Sequence, residues 1–190
     1  MPINIYLIAD HPESIDLVVA WYQSQWGEKC PERTLADWRE TVSTSRLIPT
    51  TFVAIDESIE PPRLVGTVAL HKKGMEGADP ESVWLTALYV NEADRHKGIG
   101  TQLIQAAIAH TQRVGISKLY LFTFTSGEIY TKQGWCVTKE IEDVGKKTLI
   151  MEKTIPALRS GALFELREPE PESNQTASAP SSTSNCCTIS

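Results

Sequence analysis

The chain opens on an alternation: Ile3, Ile5 and Leu7 fall on one side and Asn4, Tyr6 and Ile8 on the other, a strand period. Asp10-His11-Pro12 then predicts a helix start, with Asp10 as the N-cap and Pro12 in the first turn. Ile15, Val18, Val19, Tyr22 and Trp26 recur at helical spacing, and Gly27 is a stop signal. A second helix is expected after Pro31, with Leu35, Trp38 and Val42 on one face, ending before Pro49. The period then changes. Runs at 51–55 and 64–70, joined by Glu60-Pro61-Pro62, predict a hairpin. A Gly-containing connection at 74–80 leads to a third long strand over 83–90. Helical spacing returns from about Gly98 to Val114, with Gly115 as the C′ residue. Residues 118–123 are apolar on both faces, which predicts a central, covered strand. A short helix around 126–133 and an antiparallel pair, 136–142 with 147–155, complete the order β-α-α-β-β-β-α-β-α-β-β.

That order predicts an α/β (α+β) domain, a mixed sheet with helices on both faces. The unit from 83 to 123 should be parallel. Near Glu168 the pattern stops: Pro169, Pro171 and Pro180 are mixed with Glu, Ser, Thr and Asn. The expected division is a domain at 1–155, an extension at 156–167 that docks through Leu158, Leu163, Phe164 and Leu166, and a disordered tail at 168–190.

Composition narrows the function. Apolar residues are 41% of the 190, enough to bury a core, so a largely disordered chain is excluded. A net charge of −6 argues against a nucleic-acid partner, since phosphate backbones need clustered Lys and Arg. No stretch approaches the roughly 18 apolar residues of a membrane span, and Met1 to Asp10 has no basic n-region of a signal peptide. Cysteines at 30, 136, 186 and 187 are too scattered for a disulfide framework or a zinc site, and no metal is expected. A reducing cytoplasm is the expected compartment.

The richest segment is Arg95-His96-Lys97-Gly98-Ile99-Gly100-Thr101, between a strand and a helix. Gly98 and Gly100 let backbone approach a ligand, the helix N-terminus favours phosphate, and Arg95, His96 and Lys97 add donors. A dinucleotide fingerprint would want a small residue where Leu103 stands, and no Gly-Lys-Ser/Thr exists for a Walker loop. An acyl-coenzyme A pyrophosphate fits the remaining pattern. No Gly-x-Ser-x-Gly elbow exists, and His11, His71, His96 and His110 are dispersed.

The run from Leu88 to Gly100 resembles the coenzyme A motif of the GNAT acetyltransferase family, Arg/Gln-x-x-Gly-x-Gly/Ala after a strand. Ile129-Tyr130-Thr131-Lys132-Gln133-Gly134-Trp135 is similar to that family's second motif, Tyr-x-x-x-Gly-Phe/Trp. Together the likeness spans residues 3–155. Asn91-Glu92 departs from the family, which often has a proline there that shapes the turn. The resemblance implies a mostly antiparallel twisted sheet with a parallel central pair, in which the strand before the loop carries a bulge and splays from its parallel neighbour. It implies that acetyl-CoA is the co-substrate, that the backbone of Leu88, Tyr89 and Val90 runs along the pantetheine, and that the loop from Arg95 to Thr101, including Ile99, holds the pyrophosphate. It implies Tyr130 as the residue serving the leaving thiolate. The acceptor would be a primary amine of a small molecule or protein, attacked directly in a ternary complex. A non-catalytic acyl-CoA-binding module is the alternative, and it would not need Tyr130. Glu81, just before the third strand, is one of many carboxylates that could take the amine's proton and is not singled out. Cys136, entering a strand, is expected to be buried. Trp84 is expected in the core or beside the acceptor.

The sequence closes on Cys187-Thr188-Ile189-Ser190, the pattern of a farnesylation box, with Cys186 as a neighbouring palmitate site. The expectation is membrane association through a lipidated tail in a eukaryotic cytosol. One prenyl chain binds only reversibly, and the linker is acidic rather than polybasic, so a second signal would be needed.

Overall fold

The computed structural model describes residues 3–72, 79, 81–143 and 146–157. Seven strands form one sheet: β1 (Ile3–Leu7), β2 (Thr50–Asp56), β3 (Arg63–His71), β4 (Val83–Val90), β5 (Lys118–Thr123), β6 (Cys136–Asp143) and β7 (Lys146–Thr154). Their order across the sheet is β1-β2-β3-β4-β5-β7-β6. Every pairing is antiparallel except β4 with β5, which is parallel. The helices are α1 (Ile15–Trp26), α2 (Leu35–Thr41), α3 (Ile99–Arg113) and α4 (Glu128–Thr131). The sequence of elements is the one the hydrophobic pattern predicts.

Two cores sit on opposite faces. Within β2, Phe52 and Ala54 join the cluster under α3, whereas Val53 and Ile55 join the cluster under α1 and α2. A strand covered on both sides reads as a continuous apolar run for this reason. On one face Ile99, Leu103, Ile104 and Ala107 of α3 pack with Leu85, Leu119, Leu121 and Trp135. On the other, Val18, Val19, Tyr22 and Trp26 of α1 and Trp38 of α2 cover Val53, Ala69 and Ala87. Gly66 on β3 lets α3 close on the sheet. A Cβ there would lie 2.9 Å from the Tyr89 carbonyl oxygen and 3.0 Å from Leu103 Cδ1.

Three local expectations are corrected. Asp10 ends a short 3-10 turn, Ile8–Asp10, and a second, Pro12–Ser14, intervenes before α1, so Asp10 is not its N-cap. Leu35 does not share the buried face of α2: it is the first residue of the helix and 59% exposed, while Trp38 is buried. The start of α2 is set instead by a capping box, in which the Asp37 N–H donates to Thr34 Oγ1 and the Thr34 N–H donates to the Asp37 carboxylate. Cys136 is exposed because β6 is the edge strand of the sheet and residues 136–140 are exposed on both of its faces, so the strand enters neither core. Of the expected extension at 156–167 only Pro156 and Ala157 are described, the Pro156 carbonyl accepting from Gln112 Nε2 at 2.8 Å; residues 158–190 with Cys186 and Cys187, and the connection at 74–80 apart from Asp79, lie outside the described residues.

Candidate functional site

The site begins where the parallel pair separates. β4 and β5 pair only at Val83–Leu119 and Trp84–Tyr120. Beyond Trp84, β4 has β3 on one side and no strand partner on the other. A bulge accompanies the separation. Thr67 stands opposite Tyr89 and Ala69 opposite Thr86, so β4 uses three steps where β3 uses two. The extra residue falls at Ala87, whose φ is 52°, a left-handed backbone that an L-residue seldom adopts. Pairing laws alone would keep two parallel neighbours together. The bulge turns β4 away from β5 and leaves the backbone groups of Leu88, Tyr89 and Val90, all half-buried, beside an open gap.

The gap leads to the loop. Asn91 donates its N–H to the Val65 carbonyl, and a 3-10 turn, Glu92–Asp94, carries the chain to Arg95. His96 and Gly98 both take left-handed backbone, φ 64° and 79°. Gly98 is then the N-cap of α3, with no side chain capping it and no acidic residue in the first turn. The exposed N–H groups of a helix start, unneutralised by a carboxylate, form an anion seat. Gly100 lies in that first turn against α4. A Cβ there would meet Ile129 Cδ1 at 3.2 Å and Val90 Cγ2 at 3.8 Å. The loop, the end of β4 and α4 therefore converge on one place.

Asp94 organises the loop's charge. It is 2% exposed and accepts from both Arg63 nitrogens, at 2.7 and 3.0 Å, and from Lys97 Nζ at 2.9 Å. The Arg63 hydrogen bonds, reinforced by Lys97, hold its carboxyl at about 2. Lys97 is thus tied to the protein as well as facing solvent. Arg95 is similarly placed: its Nε donates to the Val90 carbonyl at 3.1 Å, its guanidinium lies 3.5 Å from Glu92 and 5.9 Å from the Tyr89 ring. Sequence reasoning passed over Asp94. The signal available was an acid three residues before a lysine, the spacing of a helical ion pair.

Tyr130 is on α4, with Gly127 at φ 73° preceding that turn as its N-cap. The tyrosine is 7% exposed and its ring meets Trp135 edge-on at 6.1 Å. Burial pushes the phenol up to about 12. At neutral pH it is a hydrogen-bond donor and not a base. Glu81 is exposed and pairs with Lys72 at 3.0 Å. His71 gives a hydrogen bond to the Thr41 backbone, and burial holds its imidazole below the ordinary value. Among the described residues, no group of three or more His, Cys, Asp or Glu side chains could hold a metal ion, and no helix is long and apolar enough to cross a membrane.

A parallel pair opened by a bulge thus feeds a glycine loop at a helix start. The acetyltransferase (GNAT) family model matches residues 15–135, and the chain belongs to that family. Acetyl-CoA is the family's co-substrate. No curated protein matches the chain in sequence. Solved structures share its fold. An aminoglycoside 6'-acetyltransferase type Ii is 20% identical, with 84% of this chain and 100% of that one covered and a TM-score of 0.63. An aminoglycoside 6'-N-acetyltransferase complexed with coenzyme A is 18% identical, with 84% and 100% covered and a TM-score of 0.60. The ribosomal-protein-S18-alanine N-acetyltransferase from Escherichia coli is 12% identical, with 70% and 83% covered and a TM-score of 0.52. At these identities the likeness is one of fold alone.

Proposed function

We propose that this chain transfers an acetyl group from acetyl-CoA to a primary amine, by direct attack while both substrates are bound. The observation that carries the reading is the continuity of the β4–β5 gap with the uncapped start of α3. Pantetheine is an extended, amide-bearing chain and hydrogen-bonds as a strand does, so the unpaired side of β4 at Leu88, Tyr89 and Val90 suits it. The pyrophosphate then falls at the N–H groups of the Arg95–Thr101 loop. Gly100 keeps a side chain out of that approach.

The chemistry asks for little beyond placement. The amine nitrogen forms a bond to the thioester carbon, and the carbon–sulfur bond breaks with the electron pair leaving on sulfur. A backbone N–H near Leu88 supports the carbonyl oxygen as charge develops on it. Holding both reactants together supplies much of the acceleration. Tyr130 donates a hydrogen bond to the departing thiolate. A phenol near 12 gives up its proton less readily than a thiol near 8.5, so its role is to stabilise the thiolate more than to protonate it. The amine's proton goes to solvent.

The test is amine-dependent release of free thiol from acetyl-CoA by the purified chain. Release that rises with amine supports transfer. Binding of acetyl-CoA without release with any amine, at a wild-type Tyr130, would favour the non-catalytic module.

A further inference from the structure

An ion cluster joins the loop before α3 to a strand distant in sequence. β3 runs beside the start of that loop: Gly66 stands opposite Val90, and the Val65 carbonyl accepts from the Asn91 N–H. The same edge, continued to the first residue of β3, brings Arg63 against Asp94 in the 3-10 turn. Asp94 is 2% exposed, so both of its oxygens need partners within the protein. Arg63 gives one to each: Nη1 donates to Oδ2 at 2.7 Å and Nη2 to Oδ1 at 3.0 Å. Asn91 Nδ2 adds a longer bond to Oδ2 at 3.3 Å, and Lys97 Nζ adds one to Oδ1 at 2.9 Å.

The Arg63 fork alone covers both oxygens and balances the charge of the acid. Lys97 is therefore a second cation on a carboxylate that already has one. The other acids nearby have different partners. Glu92 pairs with Arg95 at 3.5 Å, and Asp56, opposite Arg63 in the β2–β3 register, accepts from the N–H and hydroxyl of Ser58. Lys97 is half-exposed and stands one residue before Gly98, the N-cap of α3 that no side chain caps. It can exchange Asp94 for an anion at that helix start without stripping the buried acid of its charge partner.

We infer that Arg63 is a positioning residue for coenzyme A: it holds both oxygens of Asp94 so that Lys97 can leave that acid and meet the pyrophosphate. This rests on the reading of the loop as the coenzyme's seat, and it adds a residue that lies outside the loop. Without the fork, Lys97 is the one charge partner of a buried carboxylate. Drawing it to a phosphate would then leave that carboxylate bare, which a buried acid resists. The lysine is pinned, and the loop loses its movable cation.

The experiment is titration calorimetry of the full chain with coenzyme A, at low and at high ionic strength. Arg63→Gln should weaken binding about tenfold, and so should Lys97→Gln, each with a shallower salt dependence than wild type. Lys97→Gln made in the Arg63→Gln chain should cost little more, because the lysine is already withheld. Arg63→Gln with Asp94→Asn removes the acid that pins Lys97, and affinity should return to within about threefold of wild type. An arginine that only shapes the loop, or that itself touches the phosphate, predicts a double variant no tighter than Arg63→Gln, and that result overturns the inference. If Arg63→Gln does not fold, Lys97→Gln, a change at a half-exposed side chain, carries the test: an unchanged affinity there overturns the inference as well. A wild-type chain that does not bind coenzyme A removes the loop reading itself, whereas binding without rescue removes only the role of Arg63.

Discussion

Burial fixes what Tyr130 can do. A phenol moved up to about 12 stays protonated at neutral pH, so the role the proposed function gives it is a donated hydrogen bond. Tyr130→Phe removes that donor and leaves the ring against Trp135. Turnover should fall roughly 100-fold with coenzyme A affinity nearly intact, as steady-state kinetics and calorimetry would report. Gly100 makes the complementary case for binding. Its Cβ position is already 3.2 Å from Ile129 Cδ1, so Gly100→Val wedges α4 from the first turn of α3. Coenzyme A should bind at least about tenfold more weakly, about 1.4 kcal/mol, and an equal affinity in a folded variant would refute the loop assignment. Asp94 supplies a pH test. Its carboxyl sits at about 2 in the folded chain against an ordinary 3.8. The unfolded chain therefore binds its proton first as pH falls. The stabilisation is fully present above the ordinary value and is lost as pH drops through the folded one. Asp94→Asn should cost about 1–3 kcal/mol at neutral pH, discounted because Arg63 and Lys97 are half-exposed. Between pH 4 and 2 the wild type should lose stability more steeply than the variant in urea titrations.

At the scale of elements, α3 depends on one missing side chain below it. Gly66→Ala places a methyl 2.9 Å from a backbone oxygen that cannot swing away and 3.0 Å from Leu103. The variant should be destabilised by about 1–3 kcal/mol, read as a lower denaturation midpoint. Every strand and helix was legible in the sequence from its hydrophobic pattern, and β5, expected to be covered on both faces, buries Leu119, Leu121 and Phe122 with Tyr120 half-buried and Lys118 exposed. The strand–loop–helix setting of Arg95 to Thr101 was legible for the same reason. The resemblance implies a bulge in this strand, but its place at Ala87 was not legible. Its residue is an alanine in a backbone region where glycine is the usual signal, and the register between β3 and β4 decides the bulge, not a local code. The partners of Arg95 and Lys97 were equally hidden, since Asp94 is shared with Arg63, distant in sequence on β3. The exposure of Leu35 followed from a cap at Thr34 that the periodicity did not weigh.

At the scale of the molecule, one sheet separates two tasks. The proposed function puts coenzyme A on the face that carries α3, with Gly100 in its first turn, and Tyr130, and the acceptor on the face that carries α1 and α2. The gap between β4 and β5 is where the two meet. The central claim is that an acetyl group crosses that gap directly to an amine. The measurement that tests it most directly is mass spectrometry of the purified chain after incubation with acetyl-CoA and a library of primary amines. The account predicts an acetylated amine formed in step with free coenzyme A, in a reaction that needs no acetylated protein intermediate. A folded chain that binds acetyl-CoA and acetylates no amine, or one that carries the acetyl group on its own side chain before passing it on, would contradict it.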